Sequence, residues 1–337
     1  MKNKFPIQHV LLSRTDSIGD VVLTLPMAGV LKQKFPGIRI SFLGRDYTKS
    51  VVALSEFVDE FISYDQLEKQ SISAQIDFLS KKKIDAVIHV FPRQKISILM
   101  KKAGIPIRIG TRSRLYHWFH CNQLVKLSRK SSDLHEAQLN LQLLKPFNID
   151  IELTTERIAS FYGFTKLPDL KSEFAALLNP QKQNVILHVK SRGSAREWGT
   201  HRFQELIDLC PSDRFQLFFS GSKEEGELIS DLKKANPHVI DLTGKMNLNE
   251  FISFINAADG IIAASTGPLH IAAALGKKAV GLFAPMRPIH PGRWKPLGKF
   301  ATALVISKNC SDCRNGAMCH CIQEITPQEV LKTFSSL

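Results

Sequence analysis

Two carboxylates frame a short turn in "RTDSIGDVVLTLP", Arg14 to Pro26. A strand-like run, "HVLLS", precedes it and an apolar helical pattern follows. Asp16 and Asp20, set around Ser17 and Gly19, therefore fall at a strand-to-helix turn. A carboxylate there can cap the helix or take a proton from a substrate at the mouth of a sheet. A second stretch, "STGPLHIAAALGKK", suits an anion. A buried strand runs into Ser265, Thr266 and Gly267, and Pro268 fits a first helical turn because its missing N–H costs nothing there. The free N–H groups of that turn, backed by the helix dipole, can hold a diphosphate, and His270 lies close enough to reach the same anion. The plainer reading is a capped helix with a partly buried histidine. A third stretch, "KSRGSAREWG", places Lys190, Ser191, Arg192, Gly193, Ser194 and Arg196 at the end of the strand "NVILHV". Hydroxyls, cations and glycine suit a diphosphate leaving group. The next strand ends in "SGSKEEGE", where Glu224 or Glu225 can hold a pair of sugar hydroxyls, or simply join Glu227 in favouring a helix dipole. Neither GxxxxGK[ST] nor a GxGxxG after a strand occurs, which removes support for a P-loop hydrolase and for a dinucleotide dehydrogenase.

Alternating strands and helices must position these groups. In the first half the strand candidates are His9–Ser13, Ile38–Leu43 and Ile84–Val90, with a helix predicted over Val21–Lys34. In the second half "NVILHVK", "FQLFFSG", "HVIDLTG", "GIIAAS", "KAVGLFAP" and "ATALVIS" read as strands, separated by amphipathic helices. The pattern loosens around residues 149–168, a candidate crossover between domains. Such alternation predicts α/β units with doubly wound parallel sheets, which bind ligands at the carboxyl ends of their strands. Thr326, Pro327 and Glu329 predict a capped final helix.

The 337 residues favour two domains. No apolar run approaches the roughly 18 residues that span a bilayer. The opening "MKNKFPIQHVLLSRTD" lacks an apolar core and cleavage site, predicting no signal peptide and a cytoplasmic protein. Net charge is +14, and it is uneven: residues 81–130 carry 13 basic side chains against Asp85 alone. A segment that basic expects an anionic partner, or is a solvated face kept for solubility. Within it "RIGTRSRLYHWFH" mixes Arg108, Arg112 and Arg114 with Tyr116, Trp118 and Phe119, a composition suited to an anionic membrane interface. No nucleic-acid-binding motif occurs. Four of six cysteines, Cys310, Cys313, Cys319 and Cys321, crowd one loop. Their spacing admits a tetrahedral zinc, but the C-x-C pair strains a standard knuckle, and a thiol-rich surface loop is the default.

Three stretches together, "LLSRTDSIGDVVLTLP", "LTGKMNLNEFISFINAADGIIAASTGPLHIAAALGKKAVGLFAP" and the closing "CSDC" with "ITPQEV", resemble glycosyltransferase family 9. This family holds the ADP-heptose:lipopolysaccharide heptosyltransferases and their relatives, and the likeness runs in order through nearly the whole chain. The resemblance implies a GT-B fold of two Rossmann-like domains facing across a cleft. Residues 1–165 would take the acceptor and 166–337 the nucleotide sugar, with the last helix (326–337) returning to the first domain. It implies Asp20 as general base of an inverting, metal-independent transfer, and Asp16 as a structural turn residue. Lys190, Ser191, Arg192, Arg196, Glu224, Ser265, Thr266, Gly267, Pro268 and His270 would bind the donor, and Arg108, Arg112 and Arg114 the acceptor. It implies no cofactor, ADP-heptose as the donor, an anionic glycolipid acceptor and a peripheral position at the inner membrane. Many members carry Asp where this chain has Ser265, and a Lys where it has Arg196, so the sugar is less constrained than the reaction. Another nucleotide sugar such as a UDP-hexose, or a non-catalytic binding protein that kept the fold, are the alternatives.

Overall fold

A computed structural model describes residues 7–129, 132–149, 151–286, 289–306 and 320–337. The chain forms two compact units, Met1–Lys166 and Leu167–Leu337. The first holds β1 (His9–Ser13), β2 (Arg39–Gly44), β3 (Glu60–Ser63), β4 (Ala86–His89), β5 (Ile107–Thr111) and β6 (Gln123–Val125). Every pairing is parallel and the strand order is β3-β2-β1-β4-β5-β6. The second holds β7 (Gln183–His188), β8 (Phe215–Phe219), β9 (Ile240–Asp241), β10 (Gly260–Ala264), β11 (Lys278–Phe283) and β12 (Ala301–Val305). Its order, β12-β11-β10-β7-β8-β9, is again wholly parallel and is the same winding, with the first strand of the unit beside the fourth. Each unit is thus a Rossmann-like doubly wound sheet, whose order reverses between its first and fourth strands.

The central strands are apolar on both faces, as helices on both sides require. All five residues of β1 and of β10 are buried. On one face of the first sheet Leu11, Leu43 and Val87 pack with Leu79, Ile96, Leu99 and Met100 from helices Ile72–Lys81 and Gln94–Lys102. In the second unit Val185, Leu187 and Phe219 pack with Trp198, Phe203 and Leu206.

One predicted element differs. The helix expected over Val21–Lys34 is two helices, Ile18–Val22 and Pro26–Lys34. Pro26 has no N–H to continue a helix from the preceding turn, and instead opens the second helix. The last helix, Pro327–Ser336, is capped by Thr326 Oγ1, which accepts from the Glu329 amide at 3.3 Å. Its Val330 and Phe334 are part of the second unit's core, and the helix packs on helix Thr200–Asp208 and β11. Among the described residues no helix is long and apolar enough to cross a membrane.

Phe334 is fully buried, so Phe334→Ala should cost about 3–5 kcal/mol through lost burial and the cavity left behind. Guanidinium unfolding followed by Trp198 emission reads this core, and an unchanged midpoint would detach the last helix from it.

Candidate active site

In the first unit the strand order reverses between β1 and β4, and the "RTDSIGD" turn leaves the carboxyl end of β1. Arg14 follows the strand directly and is buried, with 3% of its side chain exposed. Its Nε donates to Asp16 Oδ1 at 2.8 Å and one terminal nitrogen to Asp16 Oδ2 at 3.0 Å. That nitrogen also contacts Asp20 Oδ1, while Ser17 Oγ donates to the other Asp20 oxygen. The second terminal nitrogen reaches Glu136 Oε1 at 3.0 Å and Asn140 Oδ1 at 3.1 Å, both on helix Glu136–Leu141. Arg129 reinforces the same pair, donating to Glu136 Oε1 at 2.9 Å and to Asn140 Oδ1 at 3.0 Å. Asn140 Nδ2 in turn donates to Leu23 O at 3.1 Å, and Thr24 Oγ1 donates to Asp20 O at 2.9 Å. The candidate base is therefore held by its side chain and by its backbone.

Two guanidiniums meet three carboxylates here. Burial opposes the charge on Arg14, but Asp20, Asp16 and Glu136 outweigh it and raise its pKa. Asp16 responds to the surplus negative charge. Burial chiefly, then repulsion from Asp20, push its carboxyl up to about 6 from the ordinary 3.8, against the pull of Arg14. Asp16 is thus more than a turn residue, since it shares a cation with Asp20. Arg14, Arg129, Glu136 and Asn140 were not singled out from the sequence. Arg14 adjoins the motif, but Glu136 lies 122 positions away, with no spacing to betray it.

In the second unit the order reverses between β7 and β10, which pair with His188 beside Ala263. The 190–199 loop leaves β7 and the Ser265–Pro268 turn leaves β10, so the two candidate anion-binding stretches come from adjacent strand ends. Thr266, extended at φ −123°, is the N-cap of helix Gly267–Ala274 and Pro268 occupies its first turn. Thr266 Oγ1 is buried and has no hydrogen-bond partner among the described residues. Ser265 is half-buried, and His270 is buried one turn in, its amide donating to Thr266 O at 3.4 Å. The loop cations face acids. Lys190 pairs with Glu197, which also accepts from the Ser191 amide at 3.0 Å and from Ser191 Oγ at 3.2 Å. Arg192, in the left-handed region at φ +48°, pairs with Glu224 at 3.0 Å. Arg196 is half-buried. Glu225 does not face a ligand, because it closes a capping box with Ser222. Two residues here were missed by sequence reading: Glu197, and His188, buried at the end of β7 and sharing a hydrogen bond with Ser220 Oγ at 3.0 Å. Burial lowers the His188 pKa.

The basic segment divides. Arg108 turns inward: Nε donates to His120 O at 2.8 Å, and one terminal nitrogen reaches the carbonyls of Ile105 and Pro106. Its guanidinium is thus engaged by the fold's own carbonyls. Arg112 and Arg114 are exposed. Cys310, Cys313 and Cys319 of the cysteine cluster lie outside the described residues, and Cys321 is buried at the start of a short helix. Among the described residues no group of three or more potential ligands could hold a metal.

Two parallel sheets, one with a held carboxylate at its switch point and the other with a helix start at its own, make this a two-unit protein of the Rossmann-like class. Residues 74–320 match glycosyltransferase family 9 (heptosyltransferase), and the chain belongs to that family. It is an enzyme that transfers a sugar. Lipopolysaccharide heptosyltransferase 3 of Escherichia coli is 20% identical over 82% of this chain and 83% of its own. In fold it is similar to a glycosyl transferase family 9 protein from Veillonella parvula, at TM-score 0.79, 19% identity and 99% and 98% of the two chains. It is also similar to E. coli ADP-heptose LPS heptosyltransferase II, at TM-score 0.75, 18% identity and 98% of each chain.

The Asp16 pKa has a signed consequence. Between 3.8 and about 6 the native carboxyl holds a proton that the unfolded chain has released. Stability contributed at this site therefore falls as pH rises through that window. Carboxyl-carbon NMR should show one aspartate titrating near 6 that is absent in Asp16→Asn, and the variant should lose that part of the stability slope. A native Asp16 titrating at an ordinary value would contradict its burial beside Asp20.

Proposed function

We propose that this chain transfers a heptose from ADP-heptose to a lipopolysaccharide inner-core or related glycolipid acceptor, with inversion, at the cytoplasmic face of the inner membrane. The observation that carries the reading is the coincidence of motif and topology. The family-like "SIGD" and "STGPLH" stretches each fall on the switch point of their own sheet, where a doubly wound fold receives ligands. The heptose and its nucleotide are inferred from family membership and from the ADP-heptose enzyme it is similar to.

In this reading Asp20 takes the proton from the acceptor hydroxyl as that oxygen attacks the anomeric carbon. The bond from the anomeric carbon to the diphosphate breaks, and its electron pair leaves with the phosphate oxygen. The N–H groups of the Gly267–Ala274 helix start, the Thr266 hydroxyl, and Lys190, Arg192 and Arg196 receive that charge. Glu197 and Glu224 pair with Lys190 and Arg192, so a diphosphate bound here would replace or share those partners. Arg14 holds Asp20 in place, while Ser17 accompanies the proton as a hydroxyl neighbour. The transfer requires no metal.

Asp20→Asn keeps an oxygen for Arg14 but cannot accept the proton. Turnover should fall about 10²–10⁴-fold with nucleotide-sugar affinity nearly unchanged, because the base touches the acceptor. Turnover within about tenfold of wild type would take Asp20 out of the role.

Gly267→Val places a branched side chain at the first turn, and calorimetry should show nucleoside-diphosphate affinity lost in a folded protein. Unchanged affinity would put the phosphates elsewhere. A thermal-shift panel of nucleotide sugars distinguishes ADP-heptose from a UDP-hexose, since the bound donor raises the melting temperature. Ser265, where the family resemblance implies Asp, is the residue that keeps the second donor class under test.

A further inference from the structure

After β5 the chain turns through 112–116 into the short helix His117–His120. Three large apolar side chains stand out there: Leu115 is 75% exposed, Trp118 57% and Phe119 67%. They are locked in place from behind. His117 is fully buried, and its Nδ1 accepts from the Thr111 amide at 2.9 Å. Trp118 Nε1 donates to Arg112 O at 3.1 Å, which satisfies the polar edge of the indole and leaves its faces bare. Lys101 Nζ donates to Phe119 O at 2.9 Å, and Arg108 grips His120 O. Exposed cations surround the tip: Lys101 and Lys102 end the helix packed behind it, Arg112 and Arg114 precede it, and Lys126 follows β6. No acid occurs between Asp85 and Asp133.

We infer that Leu115, Trp118 and Phe119 form a wedge that inserts into the interface of an anionic lipid bilayer, with Arg112, Arg114 and Lys101 seated on its headgroups. Apolar rings beside cations on a rigid support match that interface in both its layers. The uninterrupted positive charge selects an anionic surface over a second copy of this chain, whose own wedge would bring like charges together. The placement suits the enzyme. All strands of this sheet run the same way, so the wedge and the Asp20 turn both follow carboxyl ends of strands. Strand β5 is two places from β1, about 10 Å across the sheet. A protein resting on the wedge would present Asp20 near the headgroup layer, where a lipid-borne acceptor carries its sugars. This last step rests on the proposed glycolipid acceptor, whereas membrane binding does not.

The test uses the full chain and phosphatidylcholine vesicles with and without about one-third phosphatidylglycerol. The wild type should bind the anionic vesicles and release with salt. Brominated lipid should quench its emission, and Trp118→Phe should remove the quenching while binding remains. Leu115→Ser with Phe119→Ser should weaken vesicle binding on the order of a hundredfold. Arg112→Gln with Arg114→Gln should weaken it about thirtyfold, near fivefold per cation, and blunt the salt dependence. Because these side chains are exposed, melting temperatures should not change, and ADP-sugar affinity should stay at the wild-type value. Transfer to detergent-dispersed acceptor should survive in the wedge variant while transfer on vesicles falls. If no acceptor is glycosylated by any form yet quenching holds, the reaction assignment fails and the wedge stands. Unquenched Trp118, or wild-type binding by the Leu115/Phe119 variant, would overturn the wedge. So would a concentration-dependent dimer abolished by that variant, since it would assign the patch to a second copy.

Discussion

The buried guanidinium of Arg14 is the contact on which the first unit's active edge depends. A cation with almost no water around it is stable only if carboxylates surround it. Asp16 and Asp20 do so from the turn and Glu136 from a helix far along the chain. One charge therefore joins the first strand of the unit to one of its last helices. Removing Arg14 would strip Asp16 and Asp20 of the cation they share, so the turn has little freedom to drift. That rigidity suits a proton acceptor, which must meet its hydroxyl within hydrogen-bond reach. Burial in this cluster, and after it the neighbouring Asp20 charge, is what raises the Asp16 carboxyl.

The second unit solves a related problem with the same winding and different chemistry. Here the edge offers a helix start, a buried Thr266 hydroxyl with no partner among the described residues, and a loop of cations. Lys190 and Arg192 of that loop are held by Glu197 and Glu224. Such pairs keep the loop ordered without filling the helix start, whose backbone dipole stays directed at the space beyond Thr266. The two edges thus differ in the sign of what they are built to stabilise, although their sheets share one topology.

Charge on the first unit is sorted by depth. Arg14 and Arg108 face inward, one on carboxylates and the other on backbone carbonyls. Arg112 and Arg114 remain in solvent beside bare aromatic rings. A count of basic residues treats all four alike. Their roles separate only when the partners of each guanidinium are known.

That separation marks what was legible in the chain. The sequence by itself determined the alternation of strand and helix, the strand cores such as His9–Ser13, and the two turns carrying Asp20 and Thr266. These follow from local periodicity, from glycine and proline placement, and from motifs a few residues long. It also revealed the family likeness, because those motifs sit in a fixed order. Pro26 was equally visible, and its effect on the Val21–Lys34 helix was a local rule given too little weight against a continuous apolar pattern. Only the tertiary structure decided which strands lie side by side, which put the 190–199 loop next to the Ser265–Pro268 turn. It alone joined Arg14 to Glu136 and placed Phe334 in the second core. The physical reason is the same in each case. A buried charge or ring is assigned its partner by packing across long stretches of chain, and no short spacing records where that partner lies.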